Sequence, residues 1–359
     1  MPAELTFEEA RAQFPVLDRL AYLNAGSCGP LAHATVEAMC AEDERELIEG
    51  RSGKPFIERM LELRSELRRR FAGLVGATPE QVALTASTTD GCNIVLSGLD
   101  LTPEDEVVTT TDEHFGLLGP LHVSGARVVV VPPDADAIVA AVTPRTRLLA
   151  VSHVLWTTGQ VLPVHALRQR TGLPILVDGA QSVGAIPVDA YGLDYLTISG
   201  QKWLCGPSPT GALVVADPDR LRVSRPSYFS QQAHEQNGAF SPWLEARRFE
   251  PNWISTGYLA GLQAALDARP QWSFERAAAM ADRCRELLAA AGEEVVMPAE
   301  RATLVSWRPR EEPGAVVARL ADAEVLVRDL PGTGLVRASV GWWTSDDDLK
   351  RLVSALGAR

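Results

Sequence analysis

Three short runs carry the residues best suited to chemistry. Val177-Asp178-Gly179-Ala180-Gln181 ends an apolar stretch on a carboxylate. An unpaired charge buried there would be expensive, so Asp178 needs a cationic partner. Thr197-Ile198-Ser199-Gly200-Gln201-Lys202-Trp203 ends a second stretch with a lysine flanked by small and apolar residues. That setting lowers an amine pKa toward useful nucleophilicity. Leu84-Thr85-Ala86-Ser87-Thr88-Thr89-Asp90-Gly91 leaves a third stretch and enters a helical pattern, where hydroxyls and free N–H groups can hold a phosphate at a helix N-terminus. Each run also has a plainer reading: a Ser/Thr N-cap for the hydroxyl run, and strand-end surface charges for Asp178 and Lys202. Together they supply a phosphate anchor, a pyridinium partner and a Schiff-base amine, the three parts that hold pyridoxal phosphate.

Such residues need strand ends to position them. Between about residue 80 and residue 217 the sequence alternates helical or turn stretches with β-branched runs that are apolar throughout, as strands buried on both faces are. The expected strands are Val82 to Thr85, Glu106 to Thr110, Arg127 to Val131, Leu148 to Ser152, Ile175 to Asp178, Tyr195 to Ser199 and Ala212 to Ala216. Seven strands with helical crossovers predict an α/β domain with a mostly parallel sheet. Open sheets of this kind hold ligands at the C-terminal ends of their strands, where the three runs fall. Amphipathic helices are expected at Ala34 to Glu49 and Phe56 to Leu74, with the arginines of Leu63-Arg64-Ser65-Glu66-Leu67-Arg68-Arg69-Arg70 on a solvated face. Beyond residue 260 a long helical stretch to about Ala291, strands near Ala302 to Trp307 and Leu335 to Val340, and a closing helix from Asp346 to Leu356 predict a smaller α+β domain. The expected division is residues 26–259 as the large domain, and 1–25 with 260–359 as the small one.

Composition narrows the function classes. The chain has 359 residues, 46% hydrophobic and 22% charged, with a net charge of -12. An acidic chain is a poor partner for nucleic acid or an anionic membrane, and no apolar run approaches the roughly 20 residues of a membrane span. The opening Met1-Pro-Ala-Glu-Leu-Thr-Phe-Glu-Glu is acidic where a targeting signal would be basic and then apolar, so a cytoplasmic location is expected. The cysteines, Cys28, Cys40, Cys92, Cys205 and Cys284, are odd in number with no CxxC pair, and the histidines form no HExxH pattern. Neither a disulfide framework nor a protein-built metal site is expected.

The motifs and their order, from Tyr22-Leu23-Asn24-Ala25-Gly26-Ser27 to Arg337-Ala338-Ser339-Val340, resemble the class V aminotransferase-fold enzymes. This pyridoxal-phosphate group includes cysteine desulfurases, kynureninases, isopenicillin N epimerases and cystine carbon-sulfur lyases. The resemblance covers nearly the whole chain. It implies the fold type I architecture of PLP-dependent transferases, an amino-acid substrate, and a homodimer with a shared active site. It makes Lys202 the Schiff-base lysine, Asp178 the partner of the pyridine nitrogen, His114 of Asp112-Glu113-His114-Phe115 the ring-stacking histidine, and Gln181 the neighbour of the 3-hydroxyl. Ser87, Thr88, Thr89 and Ser199 are the expected phosphate contacts, and Asn24, Trp156, Arg328 and Arg337 are expected around the substrate, with Arg337 clamping its carboxylate. Two departures stand out. Gln201 replaces the histidine that commonly precedes the lysine, keeping a donor for phosphate but no charge. Trp253 falls where a partner's loop usually lends a threonine, so either Ser255 or Thr256 of the segment Phe249 to Thr256 substitutes or the contact is absent.

Desulfurases of the group use a cysteine shortly before the C-terminal arginine motif. The corresponding stretch here, Val327-Arg328-Asp329-Leu330-Pro331-Gly332-Thr333-Gly334-Leu335-Val336-Arg337, has none. Cys28 and Cys205 read as small packing residues. Trp156 stands where desulfurases have asparagine, as in the carbon-sulfur lyases. The expected reaction is therefore β-elimination from an L-cysteine-derived substrate, with Lys202 removing the α-proton as general base and pyruvate and ammonia as end products. Transamination or epimerisation of an amino acid is the alternative. The intact Lys202 and Asp178 oppose a non-catalytic scaffold.

Overall fold

A computed structural model describes residues 5–251 and 253–357; the first four residues of the acidic N-terminal stretch lie outside the described residues. The central sheet has seven strands in the order Val82–Thr85, Gly211–Val215, Tyr195–Ser199, Ile175–Asp178, Thr146–Ser152, Glu106–Thr110, Arg127–Val131. All neighbours pair in parallel except Gly211–Val215, which runs antiparallel to both strands beside it. The expected strands are all present, with Thr146–Ser152 and Gly211–Val215 shifted by one or two residues at their ends.

Alternate residues of each strand feed two separate cores. Val82, Leu84, Val108, Leu149, Val151, Ile175, Val177, Leu196 and Ile198 pack on one face against Met60, Leu63, Leu67 and Phe71 of the helix Gly53–Val75. Ala83, Val107, Leu148, Ala150, Leu176 and Leu213 pack on the other against the helices Thr88–Gly98 and Phe115–His122. Covering both faces is why the strands are apolar at every position rather than every second one.

The arginine-rich face of Gly53–Val75 corrects an expectation. Arg64 is buried at 1% exposure and its Nη1 lies 2.5 Å from Glu250, which Arg68 also reaches at 2.7 Å. Glu250 further accepts the N–H of Leu84. The helix turns these two arginines toward the edge strand, and their counter-charge is 186 residues away in sequence for Arg64, beyond any local pattern. Arg69 keeps the expected exposed position.

The long C-terminal helical stretch is two helices, Thr256–Asp267 and Ser273–Ala290. Pro270, in the short link between them, cannot continue a helix. A four-stranded antiparallel sheet follows, in the order Glu294–Val295, Leu304–Arg308, Leu335–Ser339, Arg328–Leu330. Residues 328–330 and 335–339 form a hairpin around Pro331 to Gly334, with Gly332 and Gly334 at positive φ. Ala21–Tyr22 pairs in parallel with Val325–Leu326, and Ala21 and Leu23 share a core with Met280, Trp307 and Leu352. Leu259, Ala260 and Leu262 belong to the large core. We propose residues 26–259, extended by the remainder of the helix Thr256–Asp267, as the large domain, and the N-terminal segment with the rest of the chain as the small one.

Candidate active site

The strand register brings the polar ends together. Ser152 pairs with Asp178 and Asp178 with Thr197, so two adjacent strands end level and the third runs two residues further, to Ser199. Asp178 is buried; its Oδ1 accepts the N–H of Ala180 at 2.9 Å and a longer contact from the Thr197 hydroxyl. Gly179 lets the turn after Asp178 close, because a Cβ there would sit 2.3 Å from the Thr197 carbonyl. Lys202 follows the next strand. Burial lowers its amine pKa, with Arg337 and Arg328 adding to the fall and Asp178 opposing it. The arrangement holds an amine that loses its proton readily beside a carboxylate that attracts a cation.

His114 caps the helix Phe115–His122, its Nδ1 accepting the N–H of Gly116 at 3.0 Å. That bond places the ring proton on Nε2, and burial together with Lys202 keeps the imidazole neutral by lowering its pKa. The Trp156 ring meets it edge-on at 5.3 Å. A Cβ on Gly116 would come within 2.6 Å of the Thr89 hydroxyl, so the first turn of Thr88–Gly98 lies against this loop. Ser87 is the N-cap of that helix, its Oγ accepting from Asp90 at 3.1 Å. Thr88 is buried and Thr89 half-buried. Asp90 is held by the Ala86 N–H and by Arg225 at 2.6 Å. Across the site the Ser199 hydroxyl donates to Gln201 Oε1 at 2.9 Å.

Gln181 has much of its capacity spent. It donates to the Gly26 carbonyl and accepts from Trp203 Nε1, at 2.9 and 3.0 Å, which ties the Lys202 loop to the N-terminal motif and leaves one amide hydrogen free. Asn24 Oδ1 accepts from Ser27, whose Oγ in turn receives Arg328 Nη1 at 3.3 Å. Arg328 also lies 5.9 Å from the Trp156 ring centre. Arg337 is wholly buried and makes one hydrogen bond, Nη1 to the Trp156 carbonyl at 2.8 Å. Its Nε and Nη2 have no partner among the described residues, nor does Trp156 Nε1. Burial, then Arg328, lowers Arg337 to about 9. Thr256 does not join the cluster within the chain: it is buried and its hydroxyl bonds Glu46. Ser255 instead lines a cleft with Thr85, Ala86, Asp90, Arg225 and Tyr258. Asn252, within the loop expected to cross to a partner, lies outside the described residues.

One residue enters that sequence reasoning passed over, and another departs from its expected role. Glu113 is buried beside His114, taking the Ser152 N–H at 3.0 Å, the Ser152 hydroxyl, and the Thr110 hydroxyl at 2.8 Å. Burial, with Asp178 adding, pushes it up to about 7. Its place in the quoted run Asp112-Glu113-His114-Phe115, just beyond a buried strand, was the available signal. Cys28, expected as packing, is exposed and its Sγ faces the Gln201 carbonyl at 3.4 Å. The turn Asn24 to Gly29 presents it there because Gly29 N–H bonds the same carbonyl. Cys205 is buried, as expected of a packing residue.

The unspent donors of Arg337 and Trp156 could receive a small anion-bearing ligand, and Lys202, Asp178, His114 and the 87–89 turn could hold a phosphorylated pyridine. Fold and cluster define a pyridoxal-phosphate enzyme of fold type I. Residues 22–308 match the family model described as Aminotransferase class-V, and the chain belongs to that family. Among its relatives, isopenicillin N epimerase of Amycolatopsis lactamdurans is 31% identical over 97% of both chains. Cysteine desulfurase of Cronobacter sakazakii is 27% identical over 98% of this chain and 97% of its own. A mutant of C-DES with glycine covalently linked to its PLP cofactor superposes with a TM-score of 0.90 at 27% identity, covering 97% of this chain and 99% of that one. The complex of C-DES, titled a cystine C-S lyase, with its product cysteine persulfide gives a TM-score of 0.88 at 26% identity, covering 96% and 99%. Pyridoxal phosphate is the cofactor. Among the described residues no helix is long and apolar enough to cross a membrane.

Proposed function

We propose that the chain catalyses β-elimination from an L-cysteine-derived amino acid, as a carbon-sulfur lyase in which no enzyme cysteine accepts the sulfur. When bound, pyridoxal phosphate supplies an electron sink for the carbanion formed at the substrate α-carbon. Lys202 would anchor the cofactor and serve as the base that takes the substrate α-proton, a role its lowered amine pKa favours. Asp178 would hold the pyridine nitrogen, and His114, fixed as the Nε2–H tautomer, would stack on the ring. Ser87, Thr88, Thr89, Ser199 and Gln201 receive the phosphate, Gln181 donates its remaining hydrogen to the 3-hydroxyl, and Arg337 clamps the substrate carboxylate. Asn24, Trp156 and Arg328 line the substrate side. In a homodimer the segment Phe249 to Thr256 would reach the partner's phosphate, with Ser255, which lines a cleft, the available hydroxyl and that of Thr256 committed to Glu46.

The observation that carries the lyase reading is the chemistry of the thiols. The hairpin joining Arg328 to Arg337 holds no cysteine. Cys92, Cys205 and Cys284 are buried. Of the two exposed cysteines, Cys40 lies on the helix His33–Glu49, and Cys28 meets the Gln201 carbonyl next to Lys202, where the partial burial of its thiol raises the pKa against the pull of that lysine. A sulfur acceptor must be a thiolate, and the raised pKa of Cys28 disfavours that form. The C-DES structures support the same class of chemistry. The epimerase relatives support the alternative, epimerisation or transamination, which would use the same Lys202 and differ in the fate of the carbanion. Incubating the protein with cystine, cysteine conjugates and common amino acids separates them. The lyase gives pyruvate with a released thiol or persulfide; inverted substrate, or a keto acid keeping the substrate side chain, would overturn it.

A further inference from the structure

Behind the Lys202 loop the chain closes over a small cavity that does not belong to the site above. Its walls include Phe14, Thr35 at the start of the helix His33–Glu49, Trp203 and Cys205 directly after Lys202, Arg269 beyond the helix Thr256–Asp267, and Trp342. The lining is largely apolar, and two of its polar members, Thr35 and Arg269, carry atoms without partners among the described residues. Thr35 is wholly buried and its hydroxyl bonds nothing among the described residues. Arg269 as a residue is half-buried, but its two Nη atoms are out of solvent and likewise unpartnered. Its orientation is fixed from behind: Nε donates to Ser273 Oγ at 2.9 Å and the guanidinium carbon lies 4.2 Å from the Phe274 ring centre. The four Nη hydrogens are therefore unspent among the described residues, and so is the hydroxyl of Thr35, which lines the same cavity.

A guanidinium buried without a counter-charge is costly. The group that acts on Arg269 electrostatically is Cys205, and burial pushes that thiol up to about 12, so it stays neutral at physiological pH and offers no negative charge. Arg269, lowered by burial to about 10, remains a cation there. The space open to the centre of a water-sized sphere is about 10 Å³, room for one atom-sized occupant and too little for a carboxylate or phosphate. A water would satisfy hydrogens and leave the charge unopposed; a monatomic anion answers both.

We propose that this cavity is a halide site, in which a single chloride-sized anion is held by the Nη groups of Arg269 and the hydroxyl of Thr35 and braces the Trp203 to Cys205 turn. Two measurements on the holoenzyme test it. Crystals grown or soaked in sodium bromide, recorded at the bromine edge, should show an anomalous peak within hydrogen-bonding distance of Arg269 Nη1 or Nη2; ordered water without that peak would overturn the proposal. In melting experiments at constant ionic strength, so that screening is held fixed, replacing gluconate by chloride should raise Tm saturably by about 2–4 °C. Arg269→Gln should abolish that rise. Thr35→Val, which keeps shape and tests the site should Arg269→Gln not fold, should move it to higher chloride. Equal Tm in chloride and gluconate, or an unchanged chloride response in Thr35→Val, would count against it.

Discussion

Arg64 and Arg337 are both wholly buried, exposed to 1% and 0%, yet the protein treats them in opposite ways. Around Arg64 the chain supplies a counter-charge: Glu250 at 2.5 Å, and for Glu250 in turn Arg68 and the Leu84 N–H. Around Arg337 it supplies one carbonyl and a second cation, Arg328, which helps lower its pKa to about 9. A buried charge matched within the fold is architecture. A buried charge left unmatched, beside a lysine with a lowered pKa, is a place kept for a ligand that brings the missing charge.

That contrast can be broken by mutation. Glu250→Met should destabilise the protein by about 3–5 kcal/mol, because it strands Arg64 without its partner, while the folded fraction keeps its activity; denaturant titration measures it. Arg337→Met should do the reverse. It should leave the melting temperature unchanged or higher, since a costly buried charge is removed, and lower kcat/KM by about 10²–10³-fold through lost carboxylate binding. If Arg337→Met unfolds the protein and Glu250→Met does not, the distinction fails.

Glu113 sharpens the comparison at the site itself. Its carboxyl is raised from 4.5 to about 7, chiefly by burial, so the native state keeps a proton that the unfolded chain releases first. Its contribution to stability is therefore intact below about pH 4.5 and is lost as pH rises toward 7, by up to on the order of 3 kcal/mol. Glu113→Gln should flatten that slope in chemical denaturation measured across pH. A variant with the wild-type slope would show that Glu113 ionises normally. The smallest effect is expected at Cys28. Cys28→Ser should keep turnover within about tenfold, a barrier change of about 1.4 kcal/mol.

Much of this was legible in the sequence. The seven strands could be read because burial on both faces makes each run apolar throughout, and Asp178, Lys202 and the 87–89 turn could be read because they fall at strand ends. What escaped depends on partners distant in sequence. Arg64 and Arg68 looked like a solvated face because their counter-ion is Glu250, on a turn far along the chain. Arg328 to Leu330 passed as loop because three residues carry too little periodicity, and only its pairing with Leu335–Ser339 makes it a strand. Cys28 was read as packing because the small residues around it suggest burial; the turn that bonds Gln201 brings it to the surface by the lysine.

The central claim, that sulfur leaves the substrate without passing to the enzyme, is tested most directly by replacing all five cysteines with serine or alanine and following products from cystine and a cysteine conjugate. The account predicts pyruvate and released thiol or persulfide at a rate within about tenfold of wild type. A folded, cofactor-loaded variant that no longer releases them, with activity restored by returning Cys28 alone, would contradict it.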